Sequence, residues 1–438
     1  MDLTLSYGRC GLPVSLPDGN VRHVLRFRPT PAIEEPEGAV LAAICAPTGC
    51  PPLPEIAAGR GNACLVTSDI TRPVPNALLL PPILRELDAA GLPPERVTIL
   101  IGTGSHRPNT PDELRGMLGD EAFGSGARIV NHNAYDADGL VLKGVTARGT
   151  PVHVSRAYVE ADLRVSLSLV EPHVIAGFSG GRKAICPAIC GIETILRFHA
   201  PDLIQPEEAR AGLHEGNPAH EEAVEATRIA GAPELTVNAT LDERRRMTGA
   251  FAGELEAAHR AAVNHSVAQS QVTMAEPVDI AITTSAGFPL DLTFYQSVKG
   301  IAAALPILKP GGTIIIAHEC AEGIGEEDFT RRMLETDDFD SYIPRVWDPS
   351  YFHMDQWHAQ FAKVRRRASE VLDFSEGIPR EQLARCFVTP IDSLEEGVSR
   401  ALGKHGPGAS IAVLPEGPYV LTCLEPRTPK AGCPTRPA

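Results

Sequence analysis

The sequence predicts an α/β protein of two domains, each with a central, mostly parallel β-sheet flanked by helices. Three observations predict it. The 438 residues exceed what one core serves, and two domains of about 150–250 residues are the natural division. A short aliphatic or β-branched run, then a turn rich in Gly, Pro, His or charge, then a helical stretch, recurs along the chain. This pattern stops near 269–277 and then starts again.

The first domain is expected over 1–270. Its N-terminus alternates polar and apolar residues, as a strand does. Further on, residues 63–67 run into SDITRPVPN, 97–101 into GTGSHRPNT, and 163–170 into EPHVIAGFSGGRK. Open α/β sheets bind ligands beyond the carboxyl ends of their strands, so the three polar clusters are expected to converge on one site. An alanine-rich helical stretch that includes 254–263 closes the domain.

The second domain is expected over 271–405. It opens with a strand at 278–283, a helix at 292–308, a turn at Pro310-Gly311-Gly312 and a strand at 313–318. A strand at 386–389 and a helix at 393–402 follow. The remaining 406–438 hold a strand at 410–414 that leads into PEGPYV and is expected to return to the first domain. The last dozen residues, rich in proline and charge, read as a frayed tail. No internal repeat is evident.

Composition narrows the function. A formal charge of −15, from 40 basic and 55 acidic residues, disfavours nonspecific binding to nucleic acid or acidic membranes, which needs a basic surface. An anionic small molecule must then be held by a few specific cations. No apolar run approaches the ~18 residues of a membrane span, and the N-terminus lacks the basic start and apolar stretch of a secretory signal. A cytoplasmic location is expected. Ten cysteines without a C-x-x-C pair fit reduced thiols better than disulfides or structural zinc.

Three of the fourteen histidines sit in loops: His106 in GTGSHRP, His173 in EPHVIAGFSGGRK and His199 in RFH. Imidazole serves both as a near-neutral acid/base and as a metal ligand, so both roles are open, beside plain capping or surface positions. GFSGGRK resembles a phosphate loop, but Arg182 separates Gly181 from Lys183 and Ala184 follows, so it is not a Walker motif. Its glycines, Gly180 and Gly181, can bring backbone N–H groups to an anion, with Arg182 or Lys183 adding charge; the alternative is a simple tight turn. GTGSHRP lacks the third glycine of a dinucleotide fingerprint. Arg72 can clamp a carboxylate in a bidentate fork with Asp69 orienting a neighbour, or else form a surface ion pair.

The ordered set SDITRPVPN, GTGSHRPNT, EPHVIAGFSGGRKAICPAICGIETI, RFH, FYQSVKG and PEGPY resembles the nickel-pincer nucleotide-dependent lactate racemase family along nearly the whole chain. That resemblance implies a racemase or epimerase inverting C2 of a small 2-hydroxy acid by hydride transfer through a 2-oxo acid. It implies a cofactor, nickel pyridinium-3,5-bisthiocarboxylic acid mononucleotide, attached covalently to Lys183, with His199 as nickel ligand and His106 and His173 as the acid/base pair. Arg72, Lys299, Tyr295 and Gln296 match substrate positions, and Asp69 and Trp357 match cofactor positions, as do Gly180, Gly181 and Arg182. Ligand contacts on both domains imply an active site in the interdomain cleft. Cofactor-biosynthesis enzymes are the implied partners. The sequence departs from the family around Cys186 and Cys190, in a turn that is usually richer in glycine, which bears on local packing and on sensitivity to oxidation.

Two other readings compete. His106, His173 and His199 can bind zinc and activate water for hydrolysis, which leaves Lys183 unexplained. A non-catalytic protein of the same fold is the other.

Overall fold

The computed structural model describes residues 1–346, 348 and 356–425, and the expected tail lies outside them. The chain forms two compact units, a larger one of Phe27–Ser270 and Asp338–Lys363 and a smaller one of Met1–Arg26, Gln271–Asp337 and the chain from Val364 onward.

The larger unit holds a six-stranded sheet in the order Met247–Gly253, Leu235–Leu241, Leu163–Leu169, Ala63–Ser68, Val97–Gly102, Arg128–Asn131. All neighbours are parallel except the first pair. Its central strands are buried at nearly every position because helices cover both faces. Alternate side chains go to opposite faces. Leu65 joins a core with Val40 and Ile44 of helix Pro36–Cys45 and Leu79, Ile83 and Leu87 of helix Asn76–Ala89. Its neighbours Cys64 and Val66 join another with Ile195 and Phe198 of helix Ile192–Phe198 and Ala223 of helix Pro218–Ala230. Helix starts carry their expected caps: Thr110 and Glu113 form a reciprocal capping box before Pro111–Leu118, and Asn217 accepts from the N–H groups of Ala219 and His220.

The smaller unit holds a second six-stranded sheet, wholly parallel, in the order Thr389–Pro390, Ala368–Phe374, Leu308–Ala317, Val278–Thr284, Ile411–Val413, Val21–Val24. Here the chain departs from the expected division. Strand Ile411–Val413 does not return to the first domain but pairs with Val278–Thr284, and Leu421–Leu424 pairs with Gln271–Met274. The first 26 residues also belong here rather than with 27–270. Val21–Val24 takes the sheet edge, and Leu5, Val14, Ile411 and Val413 share one core with Ile280 and Ile315. One division between the two units falls between Ser270 and Gln271.

Local differences have local causes. Pro310-Gly311-Gly312 is a bulge within one strand rather than a turn: Val278 pairs with Leu308, but Ile280 pairs with Thr313. The expected 292–308 helix is confined to Ser297–Ala304, between short 3-10 turns at Phe294–Gln296 and Leu305–Ile307. Pro306 cannot continue it. In place of a 386–389 strand, helix Arg380–Arg385 leads to a two-residue strand, Thr389–Pro390.

Candidate active site

In the larger unit, three adjacent parallel strands end in the three polar clusters. Asp69 follows Ala63–Ser68 and is buried at 4% exposure, while His106 follows Val97–Gly102 with its side chain 52% exposed. His106 Nδ1 lies 2.6 Å from Asp69 Oδ2. The other oxygen, Oδ1, accepts from the Thr71 N–H and hydroxyl, at 3.1 and 2.6 Å. Asn109, itself tied to Asn131, accepts from the Ile70 N–H at 3.2 Å. The carboxylate is thus fixed, and it fixes the tautomer: His106 donates Nδ1–H to Asp69 and keeps its lone pair on Nε2. Burial pushes the Asp69 carboxyl up, but the hydrogen bond and charge of His106, Thr71 and the Arg72 charge together bring it below the usual carboxylate range.

Lys183 lies in the short 3-10 turn Gly181–Ala184, and its Nζ is 5.2 Å from the ring centroid of Phe198. Burial, then the charges of Arg182 and Arg72, lower its ammonium to about 7, so much of it is the neutral, nucleophilic amine near neutrality. His199 caps helix Ile192–Phe198 and donates Nδ1–H to the Ile195 carbonyl at 2.7 Å. Burial lowers His199 to about 4, with the Lys183 and His106 charges acting in the same direction against the Ile195 hydrogen bond. A neutral ring whose Nδ1–H is held by a carbonyl offers Nε2 as a metal ligand.

His173 is held differently. It lies in a two-residue strand paired with Gly177–Phe178. Its Nδ1 accepts from the backbone N–H groups of Ile175 and Ala176 at 3.3 and 3.2 Å, which puts the hydrogen of the neutral ring on Nε2. His106 and His173 therefore hold opposite tautomers.

Arg182 corrects an expectation. It does not reach toward a bound anion: it is 1% exposed, and its guanidinium donates to the carbonyls of Gly180 at 3.3 Å and Ala176 at 2.7 Å and meets His259 Nε2 at 3.0 Å. Burial lowers it to about 9. Nor is Gly181 an open amide, since its N–H donates to Asn238 Oδ1 at 3.1 Å. Its φ is +52°, and a Cβ would come within 2.7 Å of the His259 ring; at Gly180, φ +77°, a Cβ would meet Val170 at 2.5 Å. The glycines serve a close-packed, left-handed turn that carries Lys183. Sequence reasoning missed His259 and Asn238, although a polar Asn inside the apolar strand Leu235–Leu241 was a visible signal.

Arg72 is partly buried, its Nη1 donating to the Thr71 carbonyl at 3.0 Å. Cys186 and Cys190 are both fully buried, and the Cys190 thiol donates to the Ile185 carbonyl at 3.3 Å. Trp357 is fully buried and stacks on Phe361 with ring centroids 4.5 Å apart.

In the smaller unit, Tyr295 and Gln296 form the turn before helix Ser297–Ala304, which carries Lys299. Tyr295 meets the Phe329 ring edge-on at 4.9 Å, and Gln296 Oε1 is buried with no hydrogen-bond partner among the described residues. A Cβ at Gly300 or Gly417 would fall 2.1 or 2.0 Å from the Thr284 carbonyl oxygen. Only glycine lets FYQSVKG and PEGPY both close on that strand end.

Among the described residues no three His, Cys, Asp or Glu side chains gather as a metal cage, so His106, His173 and His199 do not form the zinc site of the hydrolase reading. No helix among them is long and apolar enough to cross a membrane.

Comparison with known proteins finds similarity along most of the chain. Residues 7–212 match the lactate racemase N-terminal domain and 272–422 the lactate racemase C-terminal domain. The lactate racemase of Thermoanaerobacterium thermosaccharolyticum is 33% identical over 424 residues, covering 96% of this chain and 99% of the relative. That of Lactiplantibacillus plantarum is 34% identical over 378 residues, 86% of this chain and 88% of the relative. The solved apoprotein of the Thermoanaerobacterium enzyme superposes with a TM-score of 0.89, covering 96% of this chain and 100% of that one. A crystal structure from Thermotoga maritima, 18% identical with a TM-score of 0.68 over 89% of this chain and 99% of that one, shares the fold.

Proposed function

The chain belongs to the lactate racemase family, and from that premise we propose that it is an isomerase interconverting the enantiomers of lactate or a lactate-like 2-hydroxy acid. The observation that carries this reading is the Asp69–His106 pair: a buried carboxylate 2.6 Å from one ring nitrogen leaves the other, on an exposed ring, as a base. Asp69 also stabilises the imidazolium that forms when His106 takes the substrate's hydroxyl proton.

His173 presents Nε2–H instead, and so offers a hydrogen bond to the substrate oxygen. To take a proton at Nε2 it must move its hydrogen to Nδ1, which the Ile175 and Ala176 N–H groups oppose. The two histidines serve the two faces of the reacting carbon unequally. Arg72 pins the carboxylate as a cation, holding the small molecule while its reacting carbon turns.

The residues present fit a nickel-pincer nucleotide. Lys183, lowered to about 7, is an amine ready for acylation, and His199 keeps Nε2 unprotonated while Ile195 holds its Nδ1–H. When bound, that group supplies the acceptor and later donor of the hydrogen on C2, whose loss together with the hydroxyl proton leaves a planar 2-oxo acid. Loading depends on the enzymes that make the nucleotide.

The test is co-expression with those enzymes, intact mass of the product, and chiral chromatography after incubation with L-lactate and a panel of 2-hydroxy acids. A mass adduct on wild type, absent from Lys183→Ala, together with formation of the opposite enantiomer, is the expected result. Adduct-bearing protein that inverts none of the panel excludes the reading.

A further inference from the structure

A second polar constellation lies in the smaller unit, where three neighbouring parallel strands end side by side. Ser285 follows Val278–Thr284, His318 follows Leu308–Ala317, and Asp373 is the penultimate residue of Ala368–Phe374. Register aligns Thr284 with Ala317 and Ala317 with Phe374. His318 Nε2 is 2.9 Å from Asp373 Oδ1, and His318 Nδ1 is 3.4 Å from Ser285 Oγ.

The residue types are those of a hydrolytic triad, but all three are at 0% exposure, so no substrate carbonyl reaches the serine. Burial instead makes them a brace. An ion pair taken out of water persists only where its geometry is held.

What the brace holds is legible in the backbone. The loop leaving His318 is joined to the segment after Ser285 by four hydrogen bonds: Cys320 N–H to Asp291, Glu322 to Leu292, Phe294 to Gly323 and Tyr295 to Ile324, at 2.8 to 3.0 Å. Asp291, fully buried, accepts from the Glu319 N–H at 3.2 Å and the Gly8 N–H at 2.7 Å. His318 therefore grips both ends of one structure: through Ser285 the start of the 285–296 loop, and through its own chain the strip lying along 291–295. Two non-glycine residues with left-handed backbone, Ala286 at φ +66° and Cys320 at φ +52°, lie one and two residues beyond Ser285 and His318. Such strain persists only where the surroundings enforce it.

We infer that Ser285, His318 and Asp373 form a buried relay of positioning residues that sets the 285–296 loop, and with it Tyr295, Gln296 and Lys299, for the substrate carboxylate. The assignment of those three as substrate contacts rests on the proposed function; the relay itself does not. Burial alone would make His318 harder to protonate, but the Asp373 charge and the neighbouring Cys320 hold it protonated well above the ordinary histidine range. A protonated ring donates from both nitrogens, to Asp373 and to Ser285.

The test uses the full-length apoprotein carrying 3-fluorotyrosine, with the Tyr295 signal among the seven tyrosines assigned by Tyr295→Phe. Asp373→Asn keeps the shape and removes the charge, and Ser285→Ala removes only the hydroxyl. Both are expected to fold, by circular dichroism, and to shift or split the Tyr295 fluorine line. A line unchanged in both variants overturns the relay, whatever the enzyme does. In loaded enzyme with the Lys183 adduct intact, Asp373→Asn should raise KM for the hydroxy acid about tenfold or more while kcat falls by less than about threefold. A moved line with KM unchanged overturns the positioning role. If loaded wild type inverts no hydroxy acid, the functional reading falls and the fluorine line alone decides the relay. Should Asp373→Asn fail to fold, Ser285→Ala decides it by the same two readouts.

Discussion

Lys183 Nζ sits 5.2 Å from the ring of Phe198, the residue immediately before His199, and its charge is among those pressing His199 toward the neutral form. One short turn and one helix end thereby create two groups with complementary needs. In the roles proposed for them, the amine must lose a proton to be acylated, and the imidazole must stay unprotonated to bind a metal. Burial serves both, because it disfavours the charged form of each.

The first consequence concerns the amine. Lys183 is lowered to about 7, whereas an exposed lysine titrates near ~10.4. Acylation of the apoprotein by a small amine-directed reagent should rise at this position with a midpoint of about 7, while surface lysines respond only in much more alkaline solution. Peptide mass mapping across a pH series checks it. A midpoint for Lys183 shared with the other lysines would remove the argument for a poised nucleophile.

A second consequence concerns Asp69. Asparagine keeps the size of the side chain but loses the charge that fixes the His106 tautomer and stabilises its imidazolium. In loaded enzyme, Asp69→Asn should cut kcat by about 10²–10⁴, the range for loss of acid/base function, with the Lys183 adduct still present by mass. Wild-type turnover in that variant would mean that Asp69 is not what orients His106. Because the folded-state carboxyl lies below its usual range, Asp69 contributes stability that is present above its unfolded value near ~3.9. That contribution is lost only as pH falls through the lower folded value, so Asp69 gives no acid limb near neutrality.

Much of this was legible in the sequence because strand ends announce themselves. Apolar runs stopping at SDITRP, GTGSHRP and EPH locate Asp69, Arg72, His106 and His173 through a general rule of parallel sheets. The inward turn of Arg182 was not legible, since it depends on the left-handed Gly180 and Gly181 and on His259, which lies 77 residues away. Residues 21–24 and 411–413 escaped assignment to the second sheet for a related reason. Parallel pairing joins distant segments and leaves no local mark on either. The Ser285, His318 and Asp373 row is the same case, spread over three strands that only the sheet order brings together.

The glycine turn yields a stability prediction. At Gly181 alanine meets both a φ of +52° and the His259 ring within 2.7 Å. Left-handed strain alone costs about 1–2 kcal/mol, and the displaced ring adds to it. Gly181→Ala should lower Tm by several degrees and reduce the yield of the Lys183 adduct, both measurable on one preparation. By contrast Gly59→Ala, left-handed at φ +74° but with open space around its Cβ, should lower stability by the strain alone and leave the adduct yield at the wild-type level. Equal loss of adduct in both variants would show that the turn is not specifically tied to loading.

The last prediction takes its sign from His199. Its folded value is about 4, against ~6.5 for an unfolded histidine. Between those values the unfolded chain binds the extra proton and the folded chain does not, so acidification through this window favours unfolding. Apoprotein stability should therefore fall as pH drops from ~6.5 toward about 4, and the part owed to His199 should vanish in His199→Gln. His214, lowered to about 4, and His259, also lowered by burial, contribute to the same slope, so the informative quantity is the difference between wild type and variant. Thermal melts at half-unit pH steps supply it. Parallel slopes for the two proteins would mean that His199 titrates normally, and its readiness as a metal ligand would then lose its electrostatic basis.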